Sequence, residues 1–133
     1  MKIFEENSPQ TLNSQFSILN SKRILTIREN HLFQKVYGRG KSFVSPFLAL
    51  HILRNYNRNE TRVGFTVSKA RGNAVTRNAV RRRMKEAYRA HHPFIKKGFL
   101  IVIVARQAAV GRSSTELGTQ LNGLMKKAGL FEN

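Results

Sequence analysis

Basic side chains recur at every fourth residue along one predicted helix. Positions 77, 81, 85 and 89 are all Arg or Lys, and Arg82 widens the cationic side. Four-residue spacing places these side chains in one slowly turning stripe along a helix. Like charges at that spacing weaken an isolated helix by a few tenths of a kcal/mol per pair, a cost that an anionic partner offsets. A solvated basic face usually mixes Glu among its cations, so the stripe favours phosphate binding.

Groups that could catalyse a reaction are scarce in this sequence. There is no Asp and no Cys, and the seven Glu are scattered along the chain. A metal-dependent phosphodiesterase needs clustered carboxylates to hold Mg²⁺. His91 and His92 are neighbours whose side chains diverge, and His31 and His51 have no partner visible in the sequence. We therefore expect no catalytic residue, no metal site and no bound cofactor in the protein itself.

The charge balance indicates a polyanionic partner. The chain has 133 residues, with 24 Lys and Arg against seven acidic residues, a formal net charge of +17. Such a surplus makes a folded chain repel itself, and a nucleic acid or an anionic membrane relieves that repulsion. No apolar run approaches the ~20 residues of a membrane span, and no signal peptide is recognisable. The expectation is a cytoplasmic protein without a membrane partner.

The hydrophobic periodicity predicts one α/β domain that positions the basic stripe. We predict a flexible leader over residues 1–20 and a single RNA-binding domain over 21–130. Within it the pattern predicts helices over 28–37, 74–92 and from Ser113 or Ser114 onward, and strands over 42–53, 62–68 and 98–106. The last of these strands is apolar throughout, which is typical of a buried central strand.

Several motifs in order resemble the bacterial ribonuclease P protein family. They are Arg62-Val-Gly-Phe-Thr-Val-Ser-Lys69, then Gly72-Asn-Ala-Val-Thr-Arg77-Asn78, then Arg81-Arg82 and Glu86. Phe33-Gln-Lys-Val-Tyr37 precedes them and Ile101-Val-Ile-Val-Ala-Arg106 follows, so the resemblance covers roughly residues 22 to 128. Two positions depart from the family pattern, because Ala70 and Ala79 stand where basic residues are usual.

The resemblance implies two RNA-binding sites. The basic helix and the loop before it would bind the catalytic RNA of the complex, through Lys69, Asn73, Arg77, Asn78, Arg81, Arg82, Lys85 and Arg89. A cleft between the first helix and the sheet would bind the single-stranded 5′ leader of precursor tRNA, through Phe33, Tyr37 and His51, with Phe47 and Phe65 as weaker candidates. Aromatic faces suit this task because stacking tolerates any base. Ordinary core packing is the competing interpretation for Phe33 and Phe65.

The same resemblance implies the fold and the division of labour. The fold would be α+β, a compact two-layer sandwich of the ribosomal-protein type with a left-handed βαβ crossover, against the usual handedness. The chain would be the protein subunit of ribonuclease P, an endoribonuclease that removes the 5′ leader of precursor tRNA. Catalysis would come from Mg²⁺ ions held by the ribonuclease P RNA, while the protein screens phosphate repulsion and holds the leader.

Two other classes remain open from the sequence. A structural ribosomal protein would have the same size, charge and fold class. A DNA-binding module would place the basic helix in a major groove, but the helix lacks a helix-turn-helix partner and a mixed set of base-reading side chains.

Overall fold

Residues 23–132 are described by a computed structural model, and they form one five-stranded sheet with three helices. The elements are β1 (Leu25–Thr26), α1 (Asn30–Arg39), β2 (Lys41–Val44), β3 (Leu48–Arg54), β4 (Arg62–Thr66), α2 (Ala74–Arg89), β5 (Phe99–Ala105) and α3 (Ser114–Ala128). The predicted α+β class is confirmed. The predicted leader, residues 1–20, lies outside the described residues. Across residues 23–132, no helix is long and apolar enough to cross a membrane.

The sheet is built around β5, the strand predicted to be central. Its order is β1-β4-β5-β3-β2, so β5 has a neighbour on each side. It pairs in parallel with β4 and antiparallel with β3. The chain passes from β4 to β5 through α2, which forms the predicted βαβ unit. The handedness of that crossover stays a prediction.

The two faces of the sheet carry different helices. Ile101 and Ile103 of β5 belong to the larger core, which also contains the buried side chains of α2 and α3. The alternate residues Leu100 and Val102 belong to a smaller cluster with Val36 of α1. Side chains alternate across a strand, so α1 packs on the face opposite α2 and α3. His51 and Val104 on this face remain partly exposed, so α1 does not cover the face completely.

The strand predicted over 42–53 is two strands joined by a tight turn. β2 and β3 pair antiparallel, with Phe43 opposite Leu50 and Val44 opposite Ala49. The backbone N–H of Ser45 donates to the Leu48 carbonyl at 2.8 Å, which closes the turn around Pro46. Proline has no N–H to give to a strand ladder, so the chain reverses there instead of bulging. The single-strand prediction was therefore wrong.

The helix boundaries follow their capping residues. Asn73 precedes α2, and its side chain accepts from the Thr76 N–H at 2.9 Å. Ser113 precedes α3 and forms a capping box with Glu116, as the sequence predicts. Accepting the Ser113 backbone N–H lowers the pKa of the Glu116 carboxyl. The boundary predicted at 92 was three residues too late, because residues 92–94 form a separate 3₁₀ turn containing Pro93.

Candidate RNA-binding interface

The basic stripe lies on α2 at the border of its buried face. Val80, Met84, Ala87 and Tyr88 point into the larger core. Arg77 and Arg81 are partly buried beside them, whereas Lys85 and Arg89 are exposed. Each four-residue step rotates the stripe by about 40° away from the core. The stripe therefore begins against the protein body and ends in solvent, as its spacing predicts.

Some of the predicted RNA-binding residues also hold the helix start in place. The Arg77 guanidinium donates to the Gly72 carbonyl at 3.1 Å, and the Arg81 guanidinium donates to Asn78 Oδ1 at 2.8 Å. Asn73 is the N-cap. Further along, Arg89 pairs with Glu86 at 3.1 Å on the surface. Arg82 and Lys85 are exposed, and no side-chain partner is found for them among residues 23–132. These two are the cleanest candidates for phosphate contacts.

The loop before α2 presents one of the predicted cations and turns through a strained glycine. Lys69 is exposed in the 3₁₀ turn Lys69–Arg71. Gly72 follows at φ 144°, a backbone conformation that favours glycine. Arg71 is partly buried, and its Nε has no hydrogen-bond partner among the described residues. Arg83 falls on the other border of the buried face of α2 from Arg81. Arg83 therefore lies outside the stripe.

The predicted leader cleft gathers three of its five proposed side chains. Tyr37 of α1 meets His51 of β3 edge-on, with ring centroids 5.2 Å apart. The Tyr37 ring is 40% exposed, so one part of it remains available to a ligand. Its hydroxyl lies 3.0 Å from Thr66 Oγ1 on β4, within hydrogen-bond distance. One helix and two strands thus meet around an aromatic ring that is partly exposed, and this group is the predicted cleft.

His51 is oriented from the neighbouring strand. Its Nδ1 lies 2.8 Å from Ser42 Oγ on β2, within hydrogen-bond distance. Partial burial lowers the pKa of the His51 imidazole below its usual 6.5. At neutral pH the imidazole is therefore uncharged, and it offers hydrogen bonding and a ring edge rather than a positive charge.

Phe33 lies one helical turn before Tyr37 on α1 and packs on the smaller core. It packs against the cluster formed by Ile27, Val36 and Val102. A Cβ added at Gly64 would lie only 2.5 Å from the Phe33 ring, so the ring sits directly on the backbone of β4. The sequence left core packing and leader binding open for Phe33. Its position beside Tyr37 is compatible with both, since the side chain is only partly buried.

Phe47 and Phe65 do not lie in this cleft. The Phe65 ring packs against Tyr88 of α2 on the opposite face of the sheet, with centroids 5.9 Å apart. Phe47 packs against the larger core, and the Arg112 guanidinium lies 4.7 Å from its ring centroid. Phe65 therefore follows the core-packing interpretation. Thr66 and Ser42 belong to the cleft instead. The strand alternation, which sets Thr66 on the face opposite Phe65, was the signal that could have identified Thr66.

Negative charge near these surfaces is largely engaged by arginine. Glu60, Glu86 and Glu116 each pair with an Arg, at 2.6, 3.1 and 3.5 Å. In the described part of the chain, no group of three His, Asp or Glu side chains could hold a metal ion. The three carboxylates thus offset only three of the cations in the described part of the chain.

A cationic helix and a partly exposed aromatic group on one small α+β scaffold are typical of the RNA-binding class of proteins. The comparisons with known proteins are specific within that class. The family model for ribonuclease P matches residues 21–129. The chain therefore belongs to the ribonuclease P family.

Relatives and solved structures agree over most of the chain. The ribonuclease P protein component of Clostridium kluyveri is 38% identical over 111 residues, covering 82% of this chain and 98% of that protein. The component from Alkaliphilus oremlandii is 41% identical, covering 84% and 97%. Among solved structures, the RNase P protein of Staphylococcus aureus aligns with a TM-score of 0.73 and 29% identity, covering 83% of this chain and all of that one. The RNase P protein of Thermotoga maritima aligns at 0.67 with 25% identity, covering 76% and 96%.

Proposed function

We propose that this chain is the protein subunit of a ribonuclease P ribonucleoprotein and helps its RNA to remove the 5′ leader from precursor tRNA. The observation that carries the proposal is the position of the cleft relative to the basic loop. Thr66, which touches Tyr37, lies three residues before Lys69 in the chain. An RNA bound at the start of α2 and a strand bound in the cleft would therefore lie at the same end of the sheet.

In this proposal α2 binds the RNA subunit through phosphates. Arg82 and Lys85 supply exposed charges, and Arg81 is held at the border of the stripe by Asn78. Neutralising phosphates releases condensed counterions, which is the main source of affinity in such contacts. Lys69 extends the same cationic surface into the loop before the helix.

The cleft receives the leader without reading its sequence. A base stacked on the exposed part of the Tyr37 ring would gain ~1–3 kcal/mol whatever its identity. His51 and Thr66 border the ring and present a nitrogen and a hydroxyl to a nucleotide. The absence of a sequence-reading set suits a leader that differs from one precursor to the next.

The chemical step belongs to the RNA in this proposal. Mg²⁺ ions held by the RNA would activate the attacking water and stabilise the leaving oxygen. The protein then acts by position and charge, since it screens phosphate repulsion where the leader meets the RNA. The expected effect is cleavage at a lower Mg²⁺ concentration.

The test is precursor-tRNA cleavage at low Mg²⁺ by a bacterial ribonuclease P RNA, with and without this protein. We expect the protein alone to be inert and the pair to cut at the 5′ end of the mature tRNA. The double variant R82A/K85A should lose the stimulation, and K127A on α3 serves as the control for lost charge. If the wild-type protein binds this RNA but does not stimulate cleavage, the proposal is wrong.

A further inference from the structure

A fully exposed aromatic ring stands in the loop between β3 and β4. Tyr56 is 98% exposed, more than any other large hydrophobic side chain in the described part of the chain. Its neighbours in the segment Arg54-Asn-Tyr-Asn-Arg-Asn59 are basic or amide residues, and Glu60 follows them. The ring is not part of the core, so a ligand can stack on it without disturbing the core packing.

The loop that carries Tyr56 is fixed to the protein. The Asn55 side chain donates to the Glu60 carbonyl at 2.7 Å, and the Asn55 N–H donates to the Gly98 carbonyl at 2.8 Å. At Gly98, a Cβ would lie 2.7 Å from the Arg58 carbonyl oxygen, so the two loops touch through their backbones. The Thr61 hydroxyl donates to the Lys96 carbonyl at 2.8 Å. Residues 55–61 and 96–98 thus form one ordered surface.

Basic residues outnumber acidic ones on this surface. Among residues 23–132, no ion pair involves Arg54, Arg58, Lys96 or Lys97. The nearest carboxylate in the loop, Glu60, is already paired with Arg62 at 2.6 Å. The Arg54 guanidinium lies 5.2 Å from the centroid of the Phe99 ring, which fixes it over β5. We define the loop-end surface as Arg54, Tyr56, Arg58, Lys96 and Lys97.

The loop-end surface lies at the other end of the sheet from Tyr37. β3 ends at Arg54, and the parallel strands β4 and β5 begin at Arg62 and Phe99. Because α2 connects the end of β4 to the start of β5, it runs back along the sheet toward this surface. Its stripe runs from Arg77 to Arg89, twelve residue steps along the helix axis, or about 18 Å. Arg89 is therefore the stripe residue nearest to Lys96 and Lys97 in the chain.

We propose that the loop-end surface is a second RNA contact, in which an unpaired nucleotide of the RNA subunit stacks on Tyr56 while its flanking phosphates meet Arg58 and Lys97. The RNA subunit is the partner because an RNA that follows the α2 stripe from Arg77 to Arg89 reaches this end of the protein. The proposal rests on the proposed function for the identity of that RNA.

The chemistry of the surface favours an unpaired nucleotide. Bases inside an RNA duplex are stacked on one another, so a protruding ring can stack only on an unstacked base. A tyrosine with arginines on both sides combines a stacking platform with phosphate-binding forks. The nucleotide would come from a loop or bulge of the RNA subunit, because this surface and the leader cleft lie at opposite ends of the sheet.

The experiment compares RNA-subunit binding by Y56A, Y56F and the double variant R58A/K97A with binding by the wild type. We expect Y56A to weaken binding at least about fivefold at every salt concentration, because a stacked base is lost. Y56F should bind like the wild type. R58A/K97A should lower the log–log salt slope by about 0.7 per phosphate lost. Tyr56, Arg58 and Lys97 are all solvent-exposed, so all three variants should keep the wild-type unfolding temperature.

Cross-linking gives an independent readout. The chain has no cysteine, so Y56C carries a photo-cross-linker at one defined position, and K127C on α3 is the matched control. We expect Y56C to cross-link to the RNA subunit at an unpaired nucleotide and K127C not to. Cross-links from Y56C to precursor tRNA alone would overturn the assignment of the partner.

The two proposals fail separately. If R82A/K85A weakens RNA-subunit binding while Y56A and R58A/K97A bind like the wild type, the loop-end surface is not an RNA contact and the proposed function stands. If the wild-type protein binds no ribonuclease P RNA, both proposals fall.

Discussion

The Tyr37 hydroxyl lies 3.0 Å from Thr66 Oγ1, a contact that joins the last turn of α1 to the end of β4. Thr66 is followed three residues later by Lys69, the first cation of the loop that leads into α2. The separation between the aromatic cleft and the cationic surface is therefore set by a short piece of chain.

Replacing Tyr37 by Ala should weaken the binding of precursor tRNA to the holoenzyme and leave the binding of mature tRNA nearly unchanged. The ring is the exposed stacking surface of the cleft, so the loss should be ~1–3 kcal/mol. Y37F keeps the ring and loses only the contact with Thr66, so its effect should be smaller. Binding titrations with both tRNAs measure the difference. Equal losses for the two would remove Tyr37 from leader recognition.

Gly64→Ala should lower the free energy of unfolding by about 1–3 kcal/mol, because the new methyl would overlap the Phe33 ring. Gly123→Ala is the matched control, since a Cβ at this exposed helical position meets nothing within 4 Å. It should stabilise the protein by about 0.5–1 kcal/mol. Urea unfolding gives both values. An unchanged stability of G64A would mean that Phe33 does not press on β4 in solution.

Removing exposed cations of α2 should flatten the salt dependence of RNA-subunit binding. Each of Arg82→Ala and Lys85→Ala should reduce the log–log slope by roughly 0.7–0.9 if its side chain meets a phosphate. Arg77→Ala should also lower stability, because its guanidinium holds the Gly72 carbonyl. Affinity measured at several salt concentrations separates the two effects. A slope identical to that of the wild type would place α2 outside the interface.

Protein stability should rise with pH through the histidine range. Burial lowers the pKa of His51 and of His92 in the folded protein below 6.5, so the unfolded chain holds more protons between those lowered values and 6.5. The free energy of unfolding therefore increases with pH across that window, and it falls as pH drops through the folded-state pKa values. H51Q should show a smaller rise in urea unfolding between pH 5.5 and 7.5. The same rise in H51Q and the wild type would contradict the role of burial at His51.

The longest apolar patterns in the sequence were the most informative. The apolar run of β5 predicted its central position. The helix predicted from Ser113 or Ser114 onward has its buried face at Leu117, Leu121, Leu124 and Met125, which recur at helical spacing. Both signals follow directly from burial. The turn at Pro46 was missed because its two flanking segments are both apolar, and a proline between them is compatible with either a bulge or a reversal.

The site was predictable where its residues lie on one element and less so where several elements meet. The α2 stripe could be read from spacing alone, since helix geometry fixes it. The cleft depends on which face of the sheet α1 covers, which no local pattern specifies. Phe65, a weaker candidate for the cleft, lies on the opposite face of the sheet, and its alternation with Thr66 along β4 was the signal for that position.

The position of β5 bears on how the protein is made. β3 and β4 do not pair with each other, and both pair with β5, which follows them in the chain by more than thirty residues. A nascent chain that has emerged as far as Arg89 has its whole basic helix but lacks the strand that joins the sheet. Closing such distant pairs is slow relative to local structure. The cationic segment is thus exposed to the translation machinery, itself rich in RNA, before its own fold can hold it.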